Sequence, residues 1–342
     1  MIWLAAQLLV RRALLAVPIL LCVSALVFVI LRLLPADPIA MSLPPGASAE
    51  EYEKLRQAFG LDRSLVEQYL IWLTKLLTGD LGNSIYFRRP VTELIARSLP
   101  ATLELVGAGM ALGILAGVSG GLALFAARGR LGGSILDGAT TVMMAIPEFL
   151  WAILLILFVG VGLQWLPFIG RLGPGLAVPP PRTGFLILDA LLAARFDVLA
   201  SALTHLLLPA LSLAVGLAPL IMRVLRSSLL ETIHDDYIVQ ARRRGISERR
   251  LLLRHALPNA ALPTISLIGV QGGFMFGGTL LVEMIFAYPG LGNLMIDAVR
   301  NHDLPLIQAV SLVYCVLVLG INAIVEVAYL AINPRFRVRP TA

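Results

Sequence analysis

Six long apolar segments, separated by polar stretches, dominate the pattern of the chain. An α-helix needs about 20 predominantly apolar residues to cross roughly 30 Å of hydrocarbon. The segments of that length are residues 13–34, 102–127, 138–162, 199–222, 263–288 and 306–332. The pattern therefore predicts an all-α polytopic membrane protein with six transmembrane helices.

The polar segments between these spans differ in their arginine content. If the N-terminus lies inside, residues 1–12, the turn after the second span, residues 223–262 and residues 333–342 place fifteen arginines on the cytoplasmic side. The short loops on the other side then hold only four. An excess of Lys and Arg marks the cytoplasmic side of membrane proteins. We therefore predict that both termini are cytoplasmic.

Residues 35–101 are expected to form a mainly helical external region after the first span. Ser48 and Ser64 are each followed three residues later by a Glu, and this capping box begins a helix. We expect the first helix to end at Gly60 and the second at Gly79. The apolar face of the second helix comprises Leu65, Tyr69, Trp72 and Leu76. Short helices are marginal alone, so this face should pack on the membrane surface or on the outer ends of the spans. A structural cap and a contact for a soluble partner both remain open.

A second external segment, residues 163–198, is rich in Pro and Gly. This composition predicts an irregular loop with short extended pieces. The sequence assigns it no function.

Composition supports the membrane class. Hydrophobic residues make up 58% of the chain and charged residues 14%, with a mean hydropathy of +0.87. Soluble domains carry about 25% charged residues. The net charge of +6 comes almost wholly from arginine, and we read it as a determinant of topology and not as a sign of nucleic-acid binding. The lipid bilayer is the expected environment, with the first span as an uncleaved anchor.

Several kinds of chemistry have no motif in this sequence. The two cysteines and four histidines show no metal-ligand spacing, so no metal site is expected. A Gly-x-x-x-x-Gly-Lys-Ser/Thr loop, a Gly-x-Ser-x-Gly motif and a His-Glu-x-x-His motif are all missing from the chain. We therefore predict a protein that is not itself an enzyme and binds no ATP or other cofactor of its own.

The longest polar interruption in the C-terminal half covers residues 237–259 and contains six arginines. Gly245 breaks the helix that begins near Tyr237, and Ser247 with Glu248 can begin a second helix that Pro258 ends. Two short amphipathic helices at a membrane surface are typical of a docking element. The alternative is a basic loop without a partner.

The spacing within this segment resembles the "EAA" loop of ABC importer membrane subunits. Val239, Gln240 and His255 depart from the residues usual in that loop. In the family the loop enters a groove of the ATPase subunit, so the resemblance implies an ATPase-coupling role for the matching residues. They are Tyr237, Ala241, Arg242, Gly245, Ser247, Arg250, Arg254, Leu257 and Pro258.

Further short motifs over some 320 residues resemble the dipeptide/oligopeptide permease family, and the long first external region resembles its B-type subunit. Glu326 stands where many relatives have Asp. The motifs include Leu34-Pro-Ala-Asp-Pro38, Gly79-Asp-Leu-Gly82, Tyr288-Pro-Gly-Leu-Gly292 and Asp303-Leu-Pro305. The resemblance implies a type I ABC importer permease fold in a bacterial inner membrane. It also implies four kinds of association: a second permease subunit in a heterodimer, two ABC ATPase subunits that carry ATP and Mg, an external solute-binding protein, and the bilayer.

That family passes di- and oligopeptides by alternating access, and related members move nickel chelates, glutathione or sugars. The sequence does not distinguish among these solutes. A self-contained secondary transporter that uses intramembrane glutamates is the alternative. It is disfavoured because no inverted hydropathy repeat is present.

The fifth span carries Gly269, Gly273 and Gly277 at steps of four, with Gln271 and Thr279 as polar neighbours. Small residues at this spacing let helix backbones approach closely. Tight packing explains the stripe by itself. The resemblance implies instead that this span lines the translocation pathway. The second span has a similar stripe, comprising Gly109, Gly113 and Gly117.

Four carboxylates fall within the predicted spans: Glu104, Glu148, Glu283 and Glu326. A carboxylate at bilayer depth is costly unless it is paired, protonated or facing water, so each is a candidate functional group. Glu104 and Glu283 lie near the outer ends and could reach the interface. Glu148 follows Pro147, which should bend the third span. We interpret Glu148 as either a helix-packing residue or a pathway residue, and we keep Glu283 as a second pathway candidate.

Overall fold

The computed structural model describes residues 2–33, 48, 50, 52, 53 and 62–332, and of residues 2–9 and 330–332 it gives the backbone. The predicted helix from Ser48 to Gly60 falls mostly outside these residues, and the tail 333–342 falls wholly outside them.

Helices make up the regular structure of the described residues, which contain no β-strand and one isolated bridge between Asn83 and Pro90. In chain order the helices are α1 (Ile2–Leu33), α2 (Leu65–Leu77), α3 (Val91–Ala126), α4 (Leu131–Ala145), α5 (Glu148–Leu155), α6 (Leu186–Leu192), α7 (Phe196–Thr232), α8 (Asp236–Arg243), α9 (Glu248–Arg250), α10 (Leu257–Ile285), α11 (Leu291–Arg300) and α12 (Leu304–Ile332). Helix α5 continues as a π-helix over Ile156–Gly162, and α9 continues as a π-helix over Leu251–Ala256.

Five helices of the described chain are long and apolar enough to cross a membrane: α1, α3, α7, α10 and α12. A sixth span exists if α4 and α5 are counted together. The prediction of an all-α polytopic protein is confirmed. The helices also run past the predicted spans at several ends, and α7 reaches Thr232 where the sequence predicts an end at residue 222. Hydropathy marks the apolar part of a helix, whereas the helix ends where its backbone hydrogen bonds end.

The segment predicted as a single span over 138–162 needs a correction. It is two helices, α4 and α5, which begin at Leu131 and meet at an angle of 102°. Ile146 between them is extended, with φ −98° and ψ 123°. Proline disfavours the helical conformation in the residue before it and supplies no N–H for the ladder. Pro147 therefore breaks the span instead of merely curving it.

Helices α3 and α7 pack along the glycine stripe of the second span. A Cβ atom built on Gly109 or Gly113 would lie 2.9 Å from a side-chain atom of Leu213 or Leu217. At Gly117 it would lie 2.6 Å from Cβ of Ile221. Real Cβ contacts are longer, so only glycine permits this closeness of the two helices.

The outermost helices are joined by polar and aromatic contacts. Arg12 of α1 donates to Glu326 of α12 at 2.5 Å. Tyr69 of α2 lies 2.8 Å from the hydroxyl of Ser24, and its ring is 5.4 Å from that of Phe28. The apolar face of α2 therefore packs on the first span, as one of the two predicted arrangements requires.

The prediction of an irregular loop over 163–198 also needs a correction, because residues Leu186–Leu192 form α6 and α7 begins at Phe196. The Asp189 carboxylate accepts hydrogen bonds from the Thr183 N–H and hydroxyl, both at 2.8 Å, and from the Gly184 N–H at 3.0 Å. This fixes the turn that leads into α6. Burial alone would raise the pKa of Asp189, but these hydrogen bonds outweigh it and hold the pKa below its usual value.

Candidate functional site

The polar segment 236–259, which we name the docking segment, is fixed to one end of the bundle by apolar side chains. Ile238 of α8 is fully buried. It belongs to a cluster that includes Leu251 from the π-helix, Phe125 from α3 and Leu229 from α7. One face of the segment is therefore part of the protein core, and its position is tied to that of α3 and α7.

The turn between α8 and α9 depends on Gly245. Its φ is +80°, in the left-handed region that residues with a Cβ rarely adopt. The Gly245 N–H donates to the carbonyl of Arg242 at 3.0 Å, and the Ile246 N–H donates to that of Ala241 at 3.3 Å. A Cβ built on Gly245 would meet no atom within 4 Å. The need for glycine is therefore conformational and not a matter of space.

The outer face of the docking segment is positively charged. Arg242 donates to Glu248 at 2.6 Å in a solvent-exposed pair, and such pairs add little to stability. Ser247 has the extended backbone of a helix N-cap, and it is exposed. The other exposed arginines of the segment are Arg243, Arg244, Arg249, Arg250 and Arg254. Such a surface suits an acidic or polar partner.

The docking segment runs directly into α10. The prediction that Pro258 ends the second short helix is wrong, because helical structure continues from Glu248 to Ile285. Leu257 donates to the carbonyl of Leu252, five residues back, and Pro258 follows in the first turn of α10. A proline is tolerated in the first turn of a helix. The docking segment is therefore joined to a membrane-spanning helix without an intervening loop.

A tyrosine also ties α8 to the first turn of α10. The hydroxyl of Tyr237 accepts a hydrogen bond from Asn259 Nδ2 at 2.7 Å. Tyr237 and Asn259 are 22 positions apart, so this contact closes the docking segment on itself.

Two of the three glycines of the fifth span pack against α12. A Cβ on Gly269 would lie 2.8 Å from Val325 Cγ1, and one on Gly273 would lie 3.2 Å from Val318 Cγ1. Gly277 is exposed and would meet no atom within 4 Å. The stripe is thus a packing surface at its first two positions and open at its third.

The polar neighbours of this stripe differ in exposure. Thr279 is fully buried and donates to the carbonyl of Phe276 at 2.7 Å, so it adds no polar group to an open surface. Gln271 is partly exposed.

Glu283 is fully buried at the end of the bundle opposite the docking segment. It accepts hydrogen bonds from Thr102 Oγ1 at 2.6 Å, the Gly292 N–H at 2.7 Å and the Asn293 N–H at 3.2 Å. Thr102 in turn accepts from the Leu291 N–H at 2.8 Å. The carboxylate therefore joins α3, α10 and the first turn of α11, and it is shielded from solvent.

Glu148 is the first residue of α5, at the break between α4 and α5. Its carboxylate lies against Gly216 of α7 and Gly278 of α10. It is only partly buried. Glu148 and Glu283 are therefore in different environments, although both are carboxylates on the predicted pathway.

Other polar contacts were not foreseen from the sequence. Glu104 pairs with Arg171 at 2.5 Å and accepts from the Ile187 N–H at 3.0 Å, which ties the loop before α6 to α3. Asp303 accepts from Ser84 and from the Tyr86 N–H. The sequence did indicate that Glu104 needs a partner, because a carboxylate in a predicted span is costly when it is unpaired. It did not indicate that the partner is Arg171.

Two family models match nearly the whole chain. Residues 109–338 match the inner membrane component of binding-protein-dependent transport systems, and residues 5–106 match the N-terminal part of such a membrane component.

Two relatives are similar over almost their full length. A protein of Brucella suis biovar 1 named as a peptide permease is 38% identical over 96% of this chain and 98% of its own. The permease protein of the di/tripeptide transport system of Pseudomonas aeruginosa is 37% identical over 96% of this chain and 97% of its own.

A solved structure has the same fold. A chain of the MetNI methionine ABC transporter in an inward-facing conformation superposes with a TM-score of 0.54 at 18% identity, over 70% of this chain and 96% of that one. The prediction of a type I importer permease fold is confirmed.

Proposed function

Because the chain belongs to the family of inner membrane components of binding-protein-dependent transport systems, we propose that it passes di- and oligopeptides across the bacterial inner membrane by alternating access. It is a multi-pass permease subunit of that membrane. The names of the relatives support peptides as the solute. The role of the chain is conduction, and ATP with Mg is bound and hydrolysed on separate subunits.

The docking segment is the proposed contact for an ATPase subunit. The observation that carries this assignment is its double attachment: Ile238 is buried in the core, and the segment continues without a loop into α10. ATP-driven closure of two ATPase subunits would move the segment, and α10 with it, toward an outward-open bundle. Hydrolysis would return the bundle to the inward-facing state. ATP drives this cycle only if it binds the two states with different affinity.

The docking segment supports the proposed orientation. Its end of the bundle holds most of the arginines, which favours the cytoplasm, and both termini would lie on that side. The opposite end, with α6 and α11, would then face the solute-binding protein.

A second permease subunit is proposed to complete the pathway as a heterodimer. Helix α10 leaves an apolar face uncovered within the chain, with Val270 55% exposed and Phe274 71% exposed next to Gly277. We infer that this chain is half of a bundle and that the second permease subunit covers this face.

Reconstitution tests this function. We would purify the chain with the subunits that accompany it, place the complex in liposomes, and add the binding protein and a radiolabelled dipeptide outside. ATP enclosed in the vesicles should drive accumulation of the peptide, and enclosed ADP should not. Accumulation by the chain alone in a proton gradient would refute the assignment.

A further inference from the structure

Glu148 occupies a position that two other helices leave free for it. A Cβ atom built on Gly278 of α10 would overlap Oε1 of Glu148, and one built on Gly216 of α7 would lie 3.2 Å from Oε2. The carboxylate therefore lies across the bare backbones of two spans. A glycine in a helix is less stable than an alanine, so the chain gives up helix stability at two positions beside this one group.

The four carboxylates of the predicted spans differ in their hydrogen-bond and ion-pair partners. Glu104 has Arg171, Glu326 has Arg12, and Glu283 has three hydrogen-bond donors. Glu148 has neither a hydrogen bond nor an ion pair within the described part of the chain. Its side chain is also partly exposed. Among the described residues this carboxylate therefore has no partner, and it is open to water or to a solute.

The position of the Glu148 carboxylate along the bundle is suited to contact with a solute during transport. Gly278 is seven residues before Ile285, the last residue of α10, which corresponds to about 10 Å along the helix. The carboxylate is thus inside the bundle and nearer the end that faces the binding protein in the proposed orientation. It is also next to Gly277, the open position of the α10 stripe.

We propose that the Glu148 carboxylate receives a positively charged side chain of the transported solute, which for a peptide is that of a Lys or Arg residue. This inference rests on the proposed function. A carboxylate and an ammonium group attract strongly at low dielectric constant, and the partial exposure of Glu148 keeps the contact reversible. The site thus adds a preference for cationic solutes within the membrane.

The test compares three dipeptides in proteoliposomes that contain the complete complex: Lys-Ala, Ala-Ala and Asp-Ala. The binding protein is added saturated with each peptide, so that its own affinity does not set the rate. The measured quantity is the ratio of the initial uptake rates of Lys-Ala and Asp-Ala. A ratio is insensitive to differences in the amount of folded complex.

Glu148→Gln should lower this ratio by about tenfold, because one charge-assisted contact changes an equilibrium constant by about that factor. Gly278→Ala should lower it too, since the new methyl group displaces the carboxylate. Glu326→Gln and Gly320→Ala are the matched controls. Glu326 already has a partner in Arg12, and a Cβ on Gly320 would meet no atom within 4 Å. Both controls should keep the ratio of the unchanged protein.

An unchanged ratio in Glu148→Gln, with lowered thermal stability in Glu148→Ala, would overturn the inference and leave Glu148 a packing residue. Wild-type complex that takes up no dipeptide would instead count against the proposed function. The two failures are therefore distinguishable.

Discussion

Replacing Gly245 with alanine should uncouple peptide uptake from ATP hydrolysis. The φ of +80° at this position costs an L-residue roughly 1–2 kcal/mol. A Cβ there would meet no atom within 4 Å, so the strained backbone conformation accounts for the whole cost of the substitution. One to two kcal/mol changes the equilibrium between this turn and other conformations by about 5–30-fold. The fraction of molecules in which α8 has its observed orientation relative to α10 would fall by the same factor.

The assay is the number of peptides accumulated per ATP hydrolysed in proteoliposomes. Gly245→Ala should lower this number while ATP hydrolysis continues. Gly245→Asn should be milder, since Asn tolerates the left-handed region better than other residues with a side chain.

Gly129 supplies a control matched in geometry. Its φ is +74°, its Cβ position is also open, and it lies between α3 and α4 at the same end of the bundle. Gly129→Ala has the same backbone cost outside the docking segment, and it should keep the coupling of the unchanged protein. Equal losses in both variants would refute the reasoning, because the effect would then reflect general destabilisation.

Three further predictions concern stability. Gly117→Ala should separate α3 from α7 and cost about 1–3 kcal/mol, seen as a lower midpoint of thermal unfolding in detergent, because its Cβ would lie 2.6 Å from that of Ile221. Arg171→Ala should cost about 1–3 kcal/mol, because the part-buried Glu104 loses its charged partner and keeps only the hydrogen bond from the Ile187 N–H. Adding Glu104→Gln should restore much of the loss, and no restoration would contradict the pairing. The lowered pKa of Asp189 contributes stability that is complete above its unfolded value of about 3.9 and is lost as the pH falls through the lower folded value. The stability advantage of the unchanged protein over Asp189→Asn should therefore shrink between pH 5 and pH 3, and a constant difference would exclude this role.

Local patterns account for what the sequence could predict. The apolar spans follow from hydropathy, a bend at Pro147 from the backbone of proline, and the turn at Gly245 from the interruption of two amphipathic helices. Each depends on residues close together in the chain. A close helix contact along α3 was likewise implied by Gly109, Gly113 and Gly117, but the identity of its partner, α7, was not. The full break of 102° between α4 and α5 was not predicted.

The remaining features depend on residues far apart in the chain. The burial of the Glu283 carboxylate depends on its hydrogen-bond donors, and one of them, Thr102, lies 181 positions away in the chain. Glu104 meets Arg171 across 67 positions. The uninterrupted entry into α10 depends on a π-helix, for which hydropathy and propensity have no signal. Periodicity identifies faces and ends of helices, but it does not say which two will meet.

The contact between Arg12 and Glu326 has a consequence for biosynthesis. These residues belong to the first and the last helix and are 314 positions apart. The first helix, α1, enters the membrane long before α12 has been synthesised. During that time α1 is surrounded by lipid on the side that α12 later covers. Contacts of such long sequence separation form late. A chain that stops before α12 would leave Arg12 without this partner, and its first helix would be held only by its other contacts, such as that of Tyr69 with Ser24.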